Sequence, residues 1–235
     1  KFNIKFKKLA ITKNFNNLTL VIPAKERTDC LLYVLKELKN FKIKKIIVIP
    51  KEDSVPSDWR FEEMKVINQK NSGYGNALVE GINEVKTDFF CIFNADGSFD
   101  PSELYQMMFL TKNFDFIFGS RYLKNAKSDD DTFITFLGNF IFSLIGKIFF
   151  NVKISDILYT YVLCSTKKTK ELKMQSMDFG FCVELPIKIQ RKKFNYTEIA
   201  SHERRRISGI KNVNEFVEGD KILIKLIYLF FQRKI

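Results

Sequence analysis

The sequence predicts an α/β protein with a mainly parallel sheet flanked by helices, and three observations predict it. Short apolar runs of strand length alternate with helical stretches from Leu18 to Phe118, the pattern of a sheet covered on both faces. The run Asp88-Phe-Phe-Cys-Ile-Phe93 stops abruptly at Asn94-Ala95-Asp96-Gly97-Ser98, so a buried strand delivers a carboxylate to a sheet edge. A helix start follows at once, with Asp100 as N-cap, Pro101 at the first helical position and Glu103 in the first turn. The carboxyl end of a parallel strand is where open α/β sheets place their ligands.

Taken in order, Leu18 to Ile22 reads as a buried strand ending at Pro23, with a loop to Thr28 and a helix through Asn40. Lys45 to Ile49 is a second strand, Lys65 to Ile67 a shorter third, and Gly75 to Val85 a helix leading into the Asp88 strand. Beyond the acidic turn come a helix from Ser102 to Leu110, a strand from Phe114 to Phe118, and the loop Gly119-Ser-Arg121-Tyr122. After about residue 125 the strict alternation is lost. Phe133 to Phe150 is helical, with Phe133, Phe136, Leu137, Phe140, Ile141, Leu144 and Ile148 on one wide apolar face. That face suits either a core helix or a surface that meets lipid; with Gly138, Asn139, Gly146 and Lys147 it reads as interfacial or core and not spanning. Tyr196 to Ser201 is a further strand, and the tail from Lys221 to Ile235, with Lys221, Lys225, Arg233 and Lys234, reads as a basic amphipathic helix suited either to an anionic membrane or to packing against the domain.

Composition narrows the chemistry. The formal charge of +12 over 235 residues favours an anionic partner such as nucleotide phosphate, lipid phosphate or an acidic membrane surface, although Lys-rich composition throughout the chain gives the same charge without one. A nucleic-acid protein is disfavoured, because the phenylalanines lie inside apolar runs and are not interleaved with arginines. Four dispersed cysteines (Cys30, Cys91, Cys164, Cys182) and a single histidine, His202, argue against a zinc site or a Ser-His-Asp triad and fit a reducing cytoplasm. The chain opens on Lys1 and not on Met, with no signal-peptide pattern in these residues; from the cysteine usage the expectation is a cytoplasmic protein, at the cytoplasmic face of a membrane if its apolar helices meet lipid.

Asp96 is the candidate metal ligand: a hard cation such as Mg²⁺ or Mn²⁺ needs only one or two carboxylates when a diphosphate supplies other oxygens. Asn71-Ser-Gly73-Tyr-Gly75-Asn-Ala77 opens a helix, where backbone N–H groups approach an anion; a plain turn uses the same residues. Arg121 follows a strand end and points toward the same edge as Asp96, suited to bidentate phosphate or to a salt bridge. Arg204-Arg-Arg206 is a basic turn whose first two members fit a solvated charge run.

Taken together, these segments resemble family 2 glycosyltransferases of the GT-A fold, in the dolichyl- or polyprenyl-phosphate sugar synthase-like branch, from about Leu18 to Leu223. Val21-Ile-Pro23-Ala24-Lys-Glu26-Arg27 is similar to the family's opening nucleotide loop, Asn71 to Ala77 to its glycine loop, Asn94-Ala95-Asp96 to its Asp-x-Asp element, and Gly119 to Tyr122 to its GSR[YF] loop. Ser155-Asp156 to Tyr161, Gly180-Phe-Cys-Val-Glu184, and Glu198 to Asn212 resemble its later elements. The resemblance implies one GT-A domain over residues 1–235, with a nucleotide-sugar half at about 18–125, an acceptor half at about 126–214 and an amphipathic helix at 215–235. It implies inverting transfer from a UDP- or GDP-sugar. Pro23, Ala24, Glu26, Arg27, Lys70, Gly73, Asn94 and Ala95 would lie at the donor, and Asp96 would hold Mg²⁺ or Mn²⁺. With polyprenyl phosphate as acceptor, Arg121 and Arg206 would position the phosphate; with a sugar hydroxyl, Asp156 or Glu184 would be the base.

Departures from the pattern are informative. Ile49-Pro-Lys-Glu52-Asp53 replaces an Asp-Asp-Gly-Ser-like turn, with Glu52 or Asp53 as the substitute. Asn94 replaces the first Asp of Asp-x-Asp. Thr132 and Thr135 stand where an arginine often precedes Gly138-Asn139, leaving Lys127 or Lys147 to compensate. The alternatives are a soluble transferase extending a glycan and an inactive scaffold that binds nucleotide sugar. A sugar nucleotidyltransferase is disfavoured by the glycine-free Pro23 to Thr28 segment.

Overall fold

The computed structural model describes residues 15–25, 28–55, 63–207 and 215–232. Of the residues singled out in the sequence, Glu26, Arg27, Asn212, Arg233 and Lys234 lie outside the described residues.

A seven-stranded sheet forms the centre. Its strands are β1 (Leu18–Pro23), β2 (Lys44–Ile49), β3 (Met64–Asn68), β4 (Phe89–Ile92), β5 (Phe116–Ser120), β7 (Val162–Ser165) and β8 (Tyr196–Ala200), in the order β3-β2-β1-β4-β7-β5-β8. All run parallel except β7, which pairs antiparallel with both β4 and β5. The expected parallel α/β sheet is therefore present, with one antiparallel strand that the alternation of elements does not foretell. A two-residue ladder joins β6 (Lys127–Ser128) to β9 (His202–Glu203).

Period-two alternation divides the strands between two cores. Leu20, Ile22, Ile47 and Cys91 pack with Leu31, Val34 and Leu35 of α1 (Thr28–Glu37) and with Leu104 and Met107 of α3 (Leu104–Leu110). Val21, Val48, Phe90 and Phe118 face α2 (Tyr74–Glu84), α6 (Phe181–Arg191) and α7 (Glu215–Phe231). All four cysteines are buried free thiols. Asp100 caps the turn before α3 as expected, its carboxylate accepting from the Ser102 N–H at 2.9 Å. The short helix α5 (Thr166–Glu171) follows β7 directly and contacts it and α2.

The strand order reverses between β1 and β4, so their carboxyl ends diverge and open a crevice there. The apolar helix α4 (Phe133–Phe150) does not serve as a core helix. Its buried stripe is small and partly polar, Asn139, Ser143 and Gly146, whereas Phe133, Phe136, Leu137, Phe140, Ile141, Leu144 and Ile148 are exposed. Small residues permit close docking: a Cβ on Gly146 would lie 2.6 Å from Ile157, and Ser143 Oγ accepts from the Ile157 N–H at 3.1 Å. By length and hydropathy this helix meets the criteria for a membrane span. α7 buries Ile222, Leu226 and Leu229, exposes Ile224, Ile227, Tyr228 and Phe231, and touches the end of α4 through Phe230 and Phe149, centroids 5.8 Å apart.

Candidate active site

The crevice at the switch point is a cleft of about 1030 Å³. One wall is made by the strand ends: Pro23 and Ala24 at the end of β1, Pro50 to Asp53 after β2, Gln69 and Lys70 after β3, and Asn94 to Asp96 after β4. The Ala24 N–H donates to the Val48 carbonyl at 2.8 Å, extending the ladder to the cleft rim. Asn68, which the sequence reading passed over, fixes the substituted turn: its amide donates to the carbonyls of Pro50 (3.1 Å), Lys51 (3.3 Å) and Asp53 (2.8 Å). Glu52 and Asp53 are thereby held at the rim, both lining the cleft.

Asp96 stands where the sequence places it. Its Oδ1 accepts from the Ser98 N–H at 3.0 Å and from Ser98 Oγ at 2.7 Å, while Oδ2 lies 3.6 Å from Arg206 Nε. Gly97 turns the chain with φ of +81°, and a Cβ there would meet Ile207 at 2.3 Å. The 204–207 segment runs along this turn, the Arg204 N–H donating to the Ser98 carbonyl and the Ile207 N–H to the Asp96 carbonyl at 2.8 and 3.0 Å. Asn94 and Asp96 line the cleft and fit a divalent ion whose other ligands come from a diphosphate: Ser98 fixes one Asp96 oxygen, and the other has only the longer Arg206 contact. No group of three or more His, Cys, Asp or Glu side chains arranged for a metal occurs among the described residues, so a metal here would draw ligands from its substrate.

The glycine loop has a different explanation from the expected anion cradle. Gly73 has φ of +114°, and a Cβ on Gly73 or Gly75 would lie 2.2 Å from the Met177 or Ser176 carbonyl oxygen, respectively. The first helical N–H groups are partly engaged too, Asn76 N–H donating to Met177 O at 3.2 Å. These glycines let α2 pack against the 176–178 backbone, although Gly73 still lines the cleft beside Lys70.

Arg121 reaches the cleft floor but is not a free phosphate binder. Its side chain is 7% exposed. Its Nε and Nη2 clasp Asp156 at 2.7 and 2.9 Å, and Nη1 reaches Asp131 at 3.2 Å and Glu203 at 3.3 Å. Burial opposes its charge, but these carboxylates outweigh burial and raise its pKa further. Asp156, fully buried in this clasp, holds Arg121 and is not placed to act as a base. Glu184 is likewise enclosed: it accepts from the Gln175 and Ser176 N–H groups at 3.0 and 2.7 Å and pairs with Lys188 at 2.7 Å and Lys225 at 3.3 Å. Burial pushes its carboxyl up, but Lys188, the Ser176 N–H and Lys225 together hold it below the usual range. It ties α6 to α7 and does not line the cleft.

Arg204 is no solvated charge. It clasps Glu37 at 2.7 and 3.0 Å and also donates to the Phe99 carbonyl. Of the lysines expected to compensate before α4, Lys127 is paired with Asp129 at 2.5 Å and Lys147 is exposed on α4. Unnoticed in the sequence were the three aspartates before α4, each on a basic side chain. Asp129 meets His202 at 2.6 Å, Asp130 meets Arg206 at 2.9 Å, and Asp131 meets Arg121 and the Tyr122 hydroxyl, the latter at 2.7 Å. Their succession in the sequence was the available signal. Asp178, Glu203 and Glu218 are further carboxylates on the cleft wall.

A mainly parallel sheet with an acidic turn at its switch point and a cleft above it defines an α/β protein of the GT-A-like class. The chain belongs to glycosyl transferase family 2, whose family model matches residues 19–172. No protein of curated function matches in sequence. Among solved structures it is similar to glucosyl-3-phosphoglycerate synthase from Mycobacterium tuberculosis in complex with Mn²⁺, UDP and glucosyl-3-phosphoglycerate, with 9% identity and a TM-score of 0.67 over 90% of this chain and 79% of that one. The same enzyme with Mg²⁺ and UDP gives 11% identity and a TM-score of 0.65 over 90% and 78%. Mannosyl-3-phosphoglycerate synthase from Rubrobacter xylanophilus gives 11% and 0.63 over 92% and 74%.

Proposed function

We propose that this chain transfers a sugar, with inversion, from a UDP- or GDP-sugar to a lipid-linked anionic acceptor of the polyprenyl phosphate type, at the cytoplasmic face of a membrane. The donor would lie across the strand ends, with Pro23, Ala24, Gln69 and Lys70 at its nucleotide and Asn94 and Asp96 at its diphosphate. Mg²⁺ or Mn²⁺ on Asp96 would neutralise the leaving diphosphate. The similar solved structures bind Mn²⁺ or Mg²⁺ with UDP, which supports this donor chemistry.

The acceptor reading rests on one observation: α4 and α7 each line the cleft on one side and expose apolar side chains on another. Thr135 and Asn139 of α4, and Val217, Glu218 and Lys221 of α7, reach the cleft, while Phe133 is 78% and Phe231 77% exposed. Contiguous apolar surface of this kind marks an interaction face, and with cationic side chains alongside it suits an anionic bilayer. A phosphate acceptor also agrees with the engagement of Asp156 and Glu184, because an anionic oxygen attacks without a general base. Arg206 would orient that phosphate.

A soluble phosphorylated acceptor is the second reading, favoured by the phosphoglycerate named for the similar structures. The test is turnover of a UDP- and GDP-sugar panel, with and without Mn²⁺, offered polyprenyl phosphate or 3-phosphoglycerate, alongside sedimentation with anionic vesicles. Metal-dependent transfer to polyprenyl phosphate, reduced roughly 100- to 1000-fold in Asp96→Ala, is expected. Transfer to 3-phosphoglycerate without vesicle binding would instead establish the soluble reading, and donor binding without turnover would leave a scaffold.

A further inference from the structure

Three arginines meet the acidic turns around the cleft, and they are not equivalent. Arg121 has three carboxylates around its guanidinium, and Arg204 has a bidentate partner and a carbonyl. Arg206 has one close partner, Asp130 Oδ2 at 2.9 Å from Nε, and a longer contact to Asp96 Oδ2 at 3.6 Å. Its Nε is buried, yet the N–H is not aligned for a hydrogen bond to either oxygen. Among the described residues neither terminal nitrogen makes a further hydrogen bond. A guanidinium has five donors in a planar fork suited to phosphate, so a buried donor left unaligned on the cleft wall calls for an explanation.

Asp130 is singular in the same way. Asp129 and Asp131 each hold two partners, and the Asp130 and Asp131 N–H groups donate to Ser128 Oγ at 3.3 and 3.0 Å, which fixes the loop. The Asp130 carboxylate meets Arg206 alone among the described residues. We propose that Asp130 is a positioning residue that parks Arg206, and that the phosphate of the acceptor takes the guanidinium by displacing this carboxylate. The inference rests on the transferase reading, with Arg206 at the acceptor end. Asp130 would then set a threshold: only a group that offers more to the guanidinium than one carboxylate recruits it, which favours phosphate dianions over carboxylates and neutral sugars.

The experiment is calorimetric titration in metal-free buffer with two phosphomonoesters, a short water-soluble isoprenyl phosphate and 3-phosphoglycerate, on the wild type, Asp130→Asn, Asp129→Asn, Arg206→Gln and the Asp130→Asn/Arg206→Gln pair. Asp129→Asn removes the same charge one residue away and controls for the general field. Asp130→Asn should tighten binding roughly two- to fivefold, the size of a partly exposed ion pair, with Asp129→Asn changing it less. Arg206→Gln should weaken binding and cancel the gain in the double variant. Weaker binding in Arg206→Gln without a gain in Asp130→Asn would overturn parking and leave Arg206 as the phosphate seat. Unchanged binding in Arg206→Gln, or no binding to any of the five proteins, would overturn both.

Discussion

The strand-end wall of the cleft, proposed for the donor, and its opposite end, proposed for the acceptor, are built in different ways. The donor wall is made of strand ends and backbone: Ala24, Pro50 to Asp53 and Asn94 to Asp96 are set by the ladder and by one amide, Asn68. The acceptor end is made of polar pairs between distant segments: ion pairs of Arg121 with Asp156 and Glu203 and of Arg206 with Asp130, and a hydrogen bond between His202 and Asp129. A wall of the first kind follows from the sheet and tolerates surface change. A wall of the second kind, where its pairs are buried as at Arg121 and Asp156, depends on each charge, because a buried ion that loses its partner is not resolvated.

The sharpest way to break this contrast is Arg121→Ala, which leaves Asp156, Asp131 and Glu203 facing one another; a loss of roughly 3–5 kcal/mol in urea unfolding is expected. A loss below about 1 kcal/mol, the size of a surface pair, would show that the acceptor end does not depend on this cation. Next is Glu103, whose carboxyl takes hydrogen bonds from Ser201 Oγ at 2.6 Å and the His202 N–H at 2.8 Å. Burial nevertheless raises its pKa to about 7. The folded state therefore favours the protonated form: the contribution is complete below the ordinary pKa of 4.5, and is lost as pH rises through about 7. Wild-type stability should fall by on the order of 3 kcal/mol across that window relative to Glu103→Gln, as measured by urea unfolding at each pH. Parallel curves for the two proteins would remove Glu103 from the account.

On the donor side the expected effects come from shape. Gly75→Ala places a methyl 2.2 Å from the Ser176 carbonyl oxygen and should cost about 1–3 kcal/mol; a neutral result would mean that the 176–178 backbone yields easily. The smallest effect is expected where neither kind of wall is involved. A Cβ on Gly138 meets nothing within 4 Å on the outer side of α4, so Gly138→Ala should stabilise by about 0.4–1 kcal/mol, read as a raised unfolding midpoint.

The donor side was also the legible side. Leu18 to Ile22, Lys45 to Ile49 and the Asp88 to Phe93 run became β1, β2 and β4 because apolar runs of that length, broken by turn residues, have few other ways to be buried. The helix Phe133–Phe150 was legible in its bounds but not in its orientation. An all-round apolar composition does not say which stripe docks, and here the small residues Asn139, Ser143 and Gly146 do. β7 was missed because nothing local distinguishes a strand inserted antiparallel between two parallel neighbours. The helix α6 was obscured by Pro186 within it, which local propensity reads as a break.

By itself, then, the sequence determined the α/β class, the switch-point strand ends and the placement of Asp96 at the cleft, because these follow from periodicity and capping between near neighbours. Only the tertiary structure decided what the charged residues do. Arg121 and Asp156 are 35 residues apart, and Arg204 and Glu37 are 167 apart; a charge is available to a ligand or already engaged according to what the fold brings beside it. Arg206 has one close carboxylate and one distant one, neither aligned with its Nε, where Arg121 is hydrogen-bonded to three, and that difference lies in the packing of loops and in no feature of the residues themselves.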